Sequence, residues 1–278
     1  MARAIVDGIG LEYSILAAAS GAADGERSEP PTVALLNGIG MSIAHWRPVA
    51  ERLAAAGYRV LLHDFRGQLL SERPTGPYSF EAHAHDLAGL LDAIGLGRVV
   101  AVGTSYGAEV ALTFARDYPG RCAGVAAIDG VSEYDEVLRA AIECWRSAAL
   151  ADPRTFYKSL VPWTYSAEYL AARSDAIAAR EDAVAALPRD YFEGFARLCD
   201  AFLAIDLTRD LGRVACPCLV VVGDRDILKP PRYSRIIADG VPGARYVEVA
   251  GAGHALAIEK PDELFGLLLG FLSEAAGP

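Results

Sequence analysis

Two kinds of apolar spacing alternate along this 278-residue chain. Short runs dense in Val, Ile and Leu, bounded by Gly, Pro, Asn or Asp, read as strands. Those without polar interruption read as strands covered on both faces. Between them lie longer stretches in which apolar residues recur every three or four positions, the spacing of a helix with one buried side. The first kind falls at about 3–7, 10–18, 32–37, 58–64, 98–104, 122–128, 217–223 and 244–250. The second falls near 44–56, 80–94, 106–118, 231–239 and 262–274. Such alternation predicts an α/β fold with a mostly parallel, eight-stranded sheet flanked by helices. Residues 21–31, GAADGERSEPP, combine turn formers with charge and read as a surface loop.

One segment breaks the alternation. From about 131 to 212 there is no convincing strand, only Ala-rich amphipathic text punctuated by Pro153, Pro162 and Pro188. The expected organisation is therefore a core made of 1–130 and 213–278, with an all-helical lid of 131–212 inserted between two late strands. Aromatics of the insertion (Trp145, Phe156, Tyr157, Trp163, Tyr165, Tyr191, Phe192) could line a pocket beneath it or pack the lid itself. Trp46, Trp145, Trp163 and Tyr165 are the candidates for contact with substrate.

Candidate chemistry begins at Gly103-Thr-Ser-Tyr-Gly107, where a buried run stops and helical spacing starts. A serine on a sharp strand-to-helix corner needs small neighbours because the backbone is crowded there. The corner lifts its hydroxyl out of the sheet and sets a helix N-terminus under any developing oxyanion. A serine hydroxyl becomes a useful nucleophile only when a base removes its proton. Of the five histidines, His63 falls inside a strand, His83 and His85 fall on a helix where solvated positions suit them, and His45 opens a helix. His254 instead follows the last strand, in a loop made supple by Gly251, Ala252 and Gly253. For the carboxylate that orients the imidazole, Asp226 in LVVVGDRDILKPP is favoured, with Asp224 at the turn itself and Asp129, ending the preceding strand, as a rival. A second oxyanion donor besides the Tyr106 N–H is expected from Ile39 in the loop after Asn37, and the Tyr106 ring is expected to face the pocket floor.

Composition narrows the partners. A net charge of −10 and a pI near 5.0 disfavour nucleic acid and anionic membranes, both of which need a basic face. Arg139, Arg146, Arg154 and Lys158 could still give the insertion local positive character. No run approaches the ~20 apolar residues of a membrane span, and the first twenty residues lack the charged head and long apolar block of a signal peptide. A cytoplasmic protein without membrane insertion, compatible with a homo-oligomer, is expected. Five cysteines (Cys122, Cys144, Cys199, Cys216, Cys218) are an odd, scattered number and read as buried reduced thiols. No metal-ligand spacing, phosphate loop or dinucleotide fingerprint is present, so no cofactor and no metal are expected.

Five segments together resemble the α/β-hydrolase superfamily over nearly the full length: NGIGM, HDFRGQLLSERP, GTSYG, VVGDRDILKPP and GAGHALAIEKPDEL. The order Ser105, Asp226, His254 is also that of this superfamily. Two places depart from its usual pattern. Asn37-Gly38 stands where many members have His-Gly, and Leu69 stands where many have the second glycine of D-x-R-G-x-G-x-S. Within the superfamily the pattern is most similar to small lid-bearing ester and lactone hydrolases such as 3-oxoadipate enol-lactonases. The Asn-Gly loop and LADPRTFYKSLVPWTYSAEYL also resemble the acyltransferase that joins β-hydroxyacyl chains in rhamnolipid precursor synthesis.

The resemblance implies a cofactor-free serine hydrolase acting on a small-molecule ester or lactone. Ser105 would be nucleophile, His254 base and Asp226 its partner, with the Ile39 and Tyr106 N–H groups as oxyanion hole. An acyltransferase passing an acyl group from a thioester or ester to an alcohol is the alternative, and a non-catalytic ligand-binding receptor of the same fold is a third reading.

Overall fold

The computed structural model describes residues 1–19 and 31–275. Most of the loop expected at 21–31 therefore lies outside the described residues. The chain opens with β1 (Ala2–Val6), β2 (Ile9–Leu16) and β3 (Thr32–Leu36), followed by α1 (Ile43–Ala55), β4 (Arg59–His63), α2 (Phe80–Ala93) and β5 (Val99–Thr104). Then come α3 (Tyr106–Asp117), β6 (Cys122–Ile128) and a purely helical stretch: α4 (Glu136–Ala151), α5 (Pro153–Thr164), α6 (Ala167–Ala185) and α7 (Arg189–Phe202). After a 3₁₀ turn at Thr208–Arg213, the chain closes with β7 (Cys218–Gly223), α8 (Pro231–Gly240), β8 (Arg245–Val249), α9 (Leu256–Glu259) and α10 (Pro261–Ala275).

The strands form one sheet in the order β1-β2-β4-β3-β5-β6-β7-β8, antiparallel through the β1–β2 and β2–β4 pairs and parallel thereafter. This is the mostly parallel eight-stranded sheet that the apolar runs predict. Alternate residues of each strand enter different cores. Val33 and Leu35 pack on the side of α1 and α10, while Ala34 and Leu36 pack on the side of α2 and α3. With both faces covered, the central strands can be apolar throughout, and every residue of β3, β5 and β7 is buried.

Register then determines where the chemistry collects. Leu36 pairs with Gly103, Gly103 with Ala127, Ile128 with Val221, and Gly223 with Val249. Strands β3, β5, β6, β7 and β8 thus end together, and the loops beginning at Asn37, Ser105, Asp129, Asp224 and Ala250 share one sheet edge. Side chains within reach of one another across such an edge are available to a single ligand.

Three of the helices between β6 and β7, α4, α5 and α6, start on polar caps. The Asp135 carboxylate accepts from the Val137 and Leu138 N–H groups, Asp152 from Thr155, and the Ser166 hydroxyl from Tyr169. Pro153 opens α5 at its first position, where an N–H would have no acceptor within the helix, and Pro188 precedes α7. These helices join the strand ends at the α5–α6 junction. There Glu259 accepts from the Ser166 N–H (2.9 Å), the Ser166 hydroxyl (2.5 Å) and the Gly253 N–H (3.2 Å), and the Ala255 N–H reaches Thr164 O (2.8 Å).

Candidate active site

Ser105 sits between β5 and α3 at φ +52°, ψ −118°, a conformation that residues with a Cβ seldom adopt. The turn closes only because its neighbours are glycines. A Cβ on Gly103 would lie 1.9 Å from Gly107 O, and one on Gly107 would lie 2.3 Å from Leu36 O. The bend is held by the Ser105 N–H donating to Ile128 O (2.8 Å) and the Ala108 N–H donating to Ser105 O (2.8 Å).

Three side chains from separate strand ends meet here. His254 Nε2 lies 2.8 Å from Ser105 Oγ, and His254 Nδ1 lies 2.8 Å from Asp226 Oδ2. The other oxygen of Asp226 accepts from the N–H groups of Leu228 (2.9 Å) and Lys229 (2.8 Å), so the carboxylate has a fixed direction. Asp226 and His254 are both buried. With Nδ1 directed at a carboxylate, the tautomer that leaves Nε2 as acceptor toward the serine is favoured.

Asp129 is close by but bonded differently. Its oxygen, one of Asp226 and a His254 nitrogen lie within 4.8 Å of one another, yet Asp129 Oδ1 accepts from the Gly223 N–H (3.0 Å) and Oδ2 has no partner. Burial first, then the Asp226 charge, push its carboxyl well above the usual range. Its neutral form is favoured, and a neutral acid is a poor counter-charge for an imidazolium.

Asn37 and Gln68 brace the loop of Gly38 and Ile39 from behind. Asn37 Nδ2 donates to Asp64 Oδ1 (3.0 Å) and Gln68 Oε1 (3.1 Å), and Gln68 Nε2 donates to Gly38 O (2.8 Å). Asp64 in turn accepts from the Ile43 N–H (3.0 Å). This polar cluster occupies the two stretches that depart from the usual superfamily pattern. Tyr106 is the first residue of α3, so its N–H has no acceptor within the helix.

A cavity of about 360 Å³ opens above Ser105 and His254. Gly38, Ile39 and Leu69 line it from the strand-end side, and Trp145, Phe156, Tyr165 and Tyr191 line it from the helical segment. Trp145 and Tyr165 thus reach the cavity wall, whereas Trp46, Trp163 and Phe192, also named from the sequence, do not. Trp46 is wholly buried among Val33, Leu35 and Leu62, because α1 turns that side toward the sheet. Trp163 packs against the other core and does not line the cavity. The Tyr106 ring also differs from expectation. It turns into the core, 4.7 Å from Phe80 and 5.4 Å from His83 between ring centroids, while only its backbone borders the site.

The remaining histidines and the thiols complete the placement. His83 is buried rather than solvated, and burial lowers it to about 3; His63, also buried, is lowered to about 4. His85 is exposed beside Asp7 (2.6 Å), and His45 accepts the Ser42 N–H (3.1 Å) at the start of α1. Of the five thiols, Cys122, Cys199 and Cys218 are buried, but Cys144 is exposed and Cys216 half-buried.

Residues that the sequence alone does not single out also shape the site. Arg180 is on the cavity wall, and Glu259 ties the histidine loop to the helices above. Behind the site, Lys229 Nζ lies 2.9 Å from Glu109 Oε1, with both side chains essentially inaccessible to water. An acidic residue four positions after the serine and a lysine three after the acid are the only sequence trace of that pair.

The α/β hydrolase fold family matches residues 31–160. A protein of Stutzerimonas stutzeri that carries the carbamate-hydrolase name RutD is 30% identical over 260 residues, covering 90% of this chain and 96% of that one. A protein of the same name in Azorhizobium caulinodans is 29% identical, covering 87% and 91% respectively. The enol-lactonase of Burkholderia xenovorans LB400 superposes with a TM-score of 0.85 at 27% identity, covering 98% of this chain and all of that one. The chain belongs to the α/β-hydrolase superfamily. It is an enzyme of the hydrolase class, and no helix among the described residues is long and apolar enough to cross a membrane.

Proposed function

We propose that this enzyme is a serine hydrolase that cleaves a carboxylic ester or lactone through an acyl-enzyme. The observation that carries the reading is the hydrogen-bonded chain from Asp226 through His254 to Ser105, lying against an apolar cavity. Ser105 Oγ attacks the carbonyl carbon while His254 Nε2 accepts its proton, and Asp226 stabilises the resulting imidazolium. The Tyr106 and Ile39 N–H groups take the negative oxygen. Collapse of the tetrahedral intermediate breaks the acyl–oxygen bond, and the departing alkoxide takes the proton from His254. A water molecule, deprotonated by the same nitrogen, then attacks the acyl-enzyme; the acid departs and Ser105 recovers its proton. The carbonyl of a carbamate, the group named for the RutD relatives, is open to the same attack.

The helical segment 131–212 serves as a lid in this scheme. Its apolar side chains over the cavity restrict water and strengthen the electrostatic steps beneath. Labelling with a fluorophosphonate tests the reading directly. One adduct on Ser105, absent in Ser105→Ala, together with hydrolysis of a 4-nitrophenyl ester, is expected. An enzyme whose Ser105→Ala variant hydrolyses the ester at the full rate does not work this way.

A further inference from the structure

Every cation of the helical segment singled out from the sequence is matched by an acid. Arg139 meets Glu136 (3.3 Å), Arg146 meets Asp200 (2.6 Å), Arg154 meets Asp182 (2.7 Å) and Lys158 meets Glu181 (3.3 Å). Arg180 on α6 is different. Among the described residues no carboxylate lies within ion-pair distance of it, and its guanidinium instead donates to the Tyr165 hydroxyl (3.2 Å). It also lines the cavity above Ser105, where it is the only permanently charged side chain among the described residues, and no aspartate or glutamate among them lines that cavity.

The surroundings suit an anion. Tyr165 Oη accepts from Arg180, which leaves the phenolic proton free to donate elsewhere. His45, on the same cavity wall, takes the Ser42 N–H on Nδ1 (3.1 Å), so its proton resides on Nε2 as another donor. Burial first, and then the Arg180 charge, hold His45 below its usual range, so it stays neutral and the guanidinium remains the one cation. Tyr157 adds nothing to this set, since its hydroxyl is spent on Ile177 O (2.6 Å). Arg180 is exposed at the cavity, open to an entering ligand.

We propose that Arg180 binds a carboxylate carried by the substrate, so that the preferred ester or lactone is a monoanion bearing a free carboxylate away from the reacting carbonyl. The assignment rests on the serine-hydrolase reading above and names its substrate class. A guanidinium presents two parallel N–H donors that match the two oxygens of a carboxylate. One cation with neutral donors beside it balances one unit of charge, which favours a carboxylate over a phosphate dianion. On a protein of net charge −10, a lone uncompensated arginine in the cavity also gives an anionic substrate a local point of attraction that the remaining surface withholds.

The test compares two esters of one leaving group, mono-4-nitrophenyl hexanedioate and 4-nitrophenyl hexanoate, on wild type, Arg180→Gln and Arg180→Lys. The wild type is expected to favour the anionic ester in kcat/KM. Arg180→Gln should lower the anionic-to-neutral ratio by about 10- to 100-fold, chiefly through KM, because a charge-assisted hydrogen bond is removed. Arg180→Lys should retain part of the preference, since it keeps the charge and loses the fork. A ratio that moves by less than about twofold in Arg180→Gln, or a wild type that favours the neutral ester, overturns the proposal. Fluorophosphonate labelling of the same preparations separates the two readings. A labelled enzyme that treats both esters alike refutes the role of Arg180 alone, whereas a Ser105 that refuses the label refutes the hydrolase reading and this one with it.

Discussion

At Ser105 the backbone and the chemistry make the same demand. Ser105 at φ +52° closes a turn so tight that Gly103 and Gly107 have no room for side chains. Gly103→Ala should therefore cost about 1–3 kcal/mol of stability by overpacking against Gly107 O, and should displace the serine as well. Urea unfolding and ester hydrolysis measure the two effects separately. The neighbouring acids make a second contrast. Asp226→Asn should lower kcat by roughly 10⁴-fold, since an amide favours the wrong tautomer of His254. Asp129→Asn should change kcat little, because Asp129 bonds the Gly223 N–H while Asp226 holds His254, and an amide oxygen keeps the Gly223 contact. Steady-state kinetics of the two variants distinguish the rivals that the sequence alone left open. That Ser105 and His254 share one sheet edge is legible in the sequence, because each stands just past the end of a strand beside small residues. Trp46 and the Tyr106 ring turn away from the cavity because residue type sets size and polarity, while direction depends on which side of a helix meets the sheet.

Among the elements, α3 and the loop after β7 are joined by the Lys229–Glu109 pair. Glu109 Oε1 receives both Lys229 Nζ (2.9 Å) and the Val131 N–H (2.7 Å), and the ammonium lies 4.8 Å from the Phe202 ring centroid. Removing one partner leaves a charge without water or counter-ion. Lys229→Met alone should cost about 3–5 kcal/mol, while Glu109→Gln/Lys229→Met should recover much of that loss because Gln can still accept from Val131. The midpoint of urea unfolding for the single and double variants gives the comparison. A pair of this kind is nearly silent in sequence, since a glutamate on a helix and a lysine in a loop ordinarily read as surface residues. The strands were easier to read. Cover on both sides makes them apolar throughout, and turn formers punctuate their ends. Arg180 on α6 reaches the cavity only because remote parts of the chain close around it, and no local pattern in the sequence carries that.

Over the whole molecule, two buried histidines give folding a pH dependence with a definite sign. His63 and His83 are lowered by burial to about 4 and about 3, against 6.5 in an open chain. At these two sites the unfolded chain binds more protons than the folded one between about pH 4 and 6.5, so both push stability up with pH across that window, while the raised Asp129 carboxyl pushes the other way. Each site contributes about 1.4 kcal/mol per pH unit while only the unfolded form is protonated. Urea midpoints at pH 5 and pH 7 for wild type and His83→Phe, which keeps a ring beside Phe65, Tyr78 and Tyr106, isolate one share: the change from pH 5 to pH 7 should be less positive in the variant. Distance along the chain has a temporal consequence too. Ser105 and His254 are 149 positions apart, and the histidine loop follows β8, the far edge of the sheet. Contacts between such remote segments are slow to form. During refolding, helical circular dichroism should return before Ser105 regains fluorophosphonate reactivity, making the serine a clock for the arrival of the last strand.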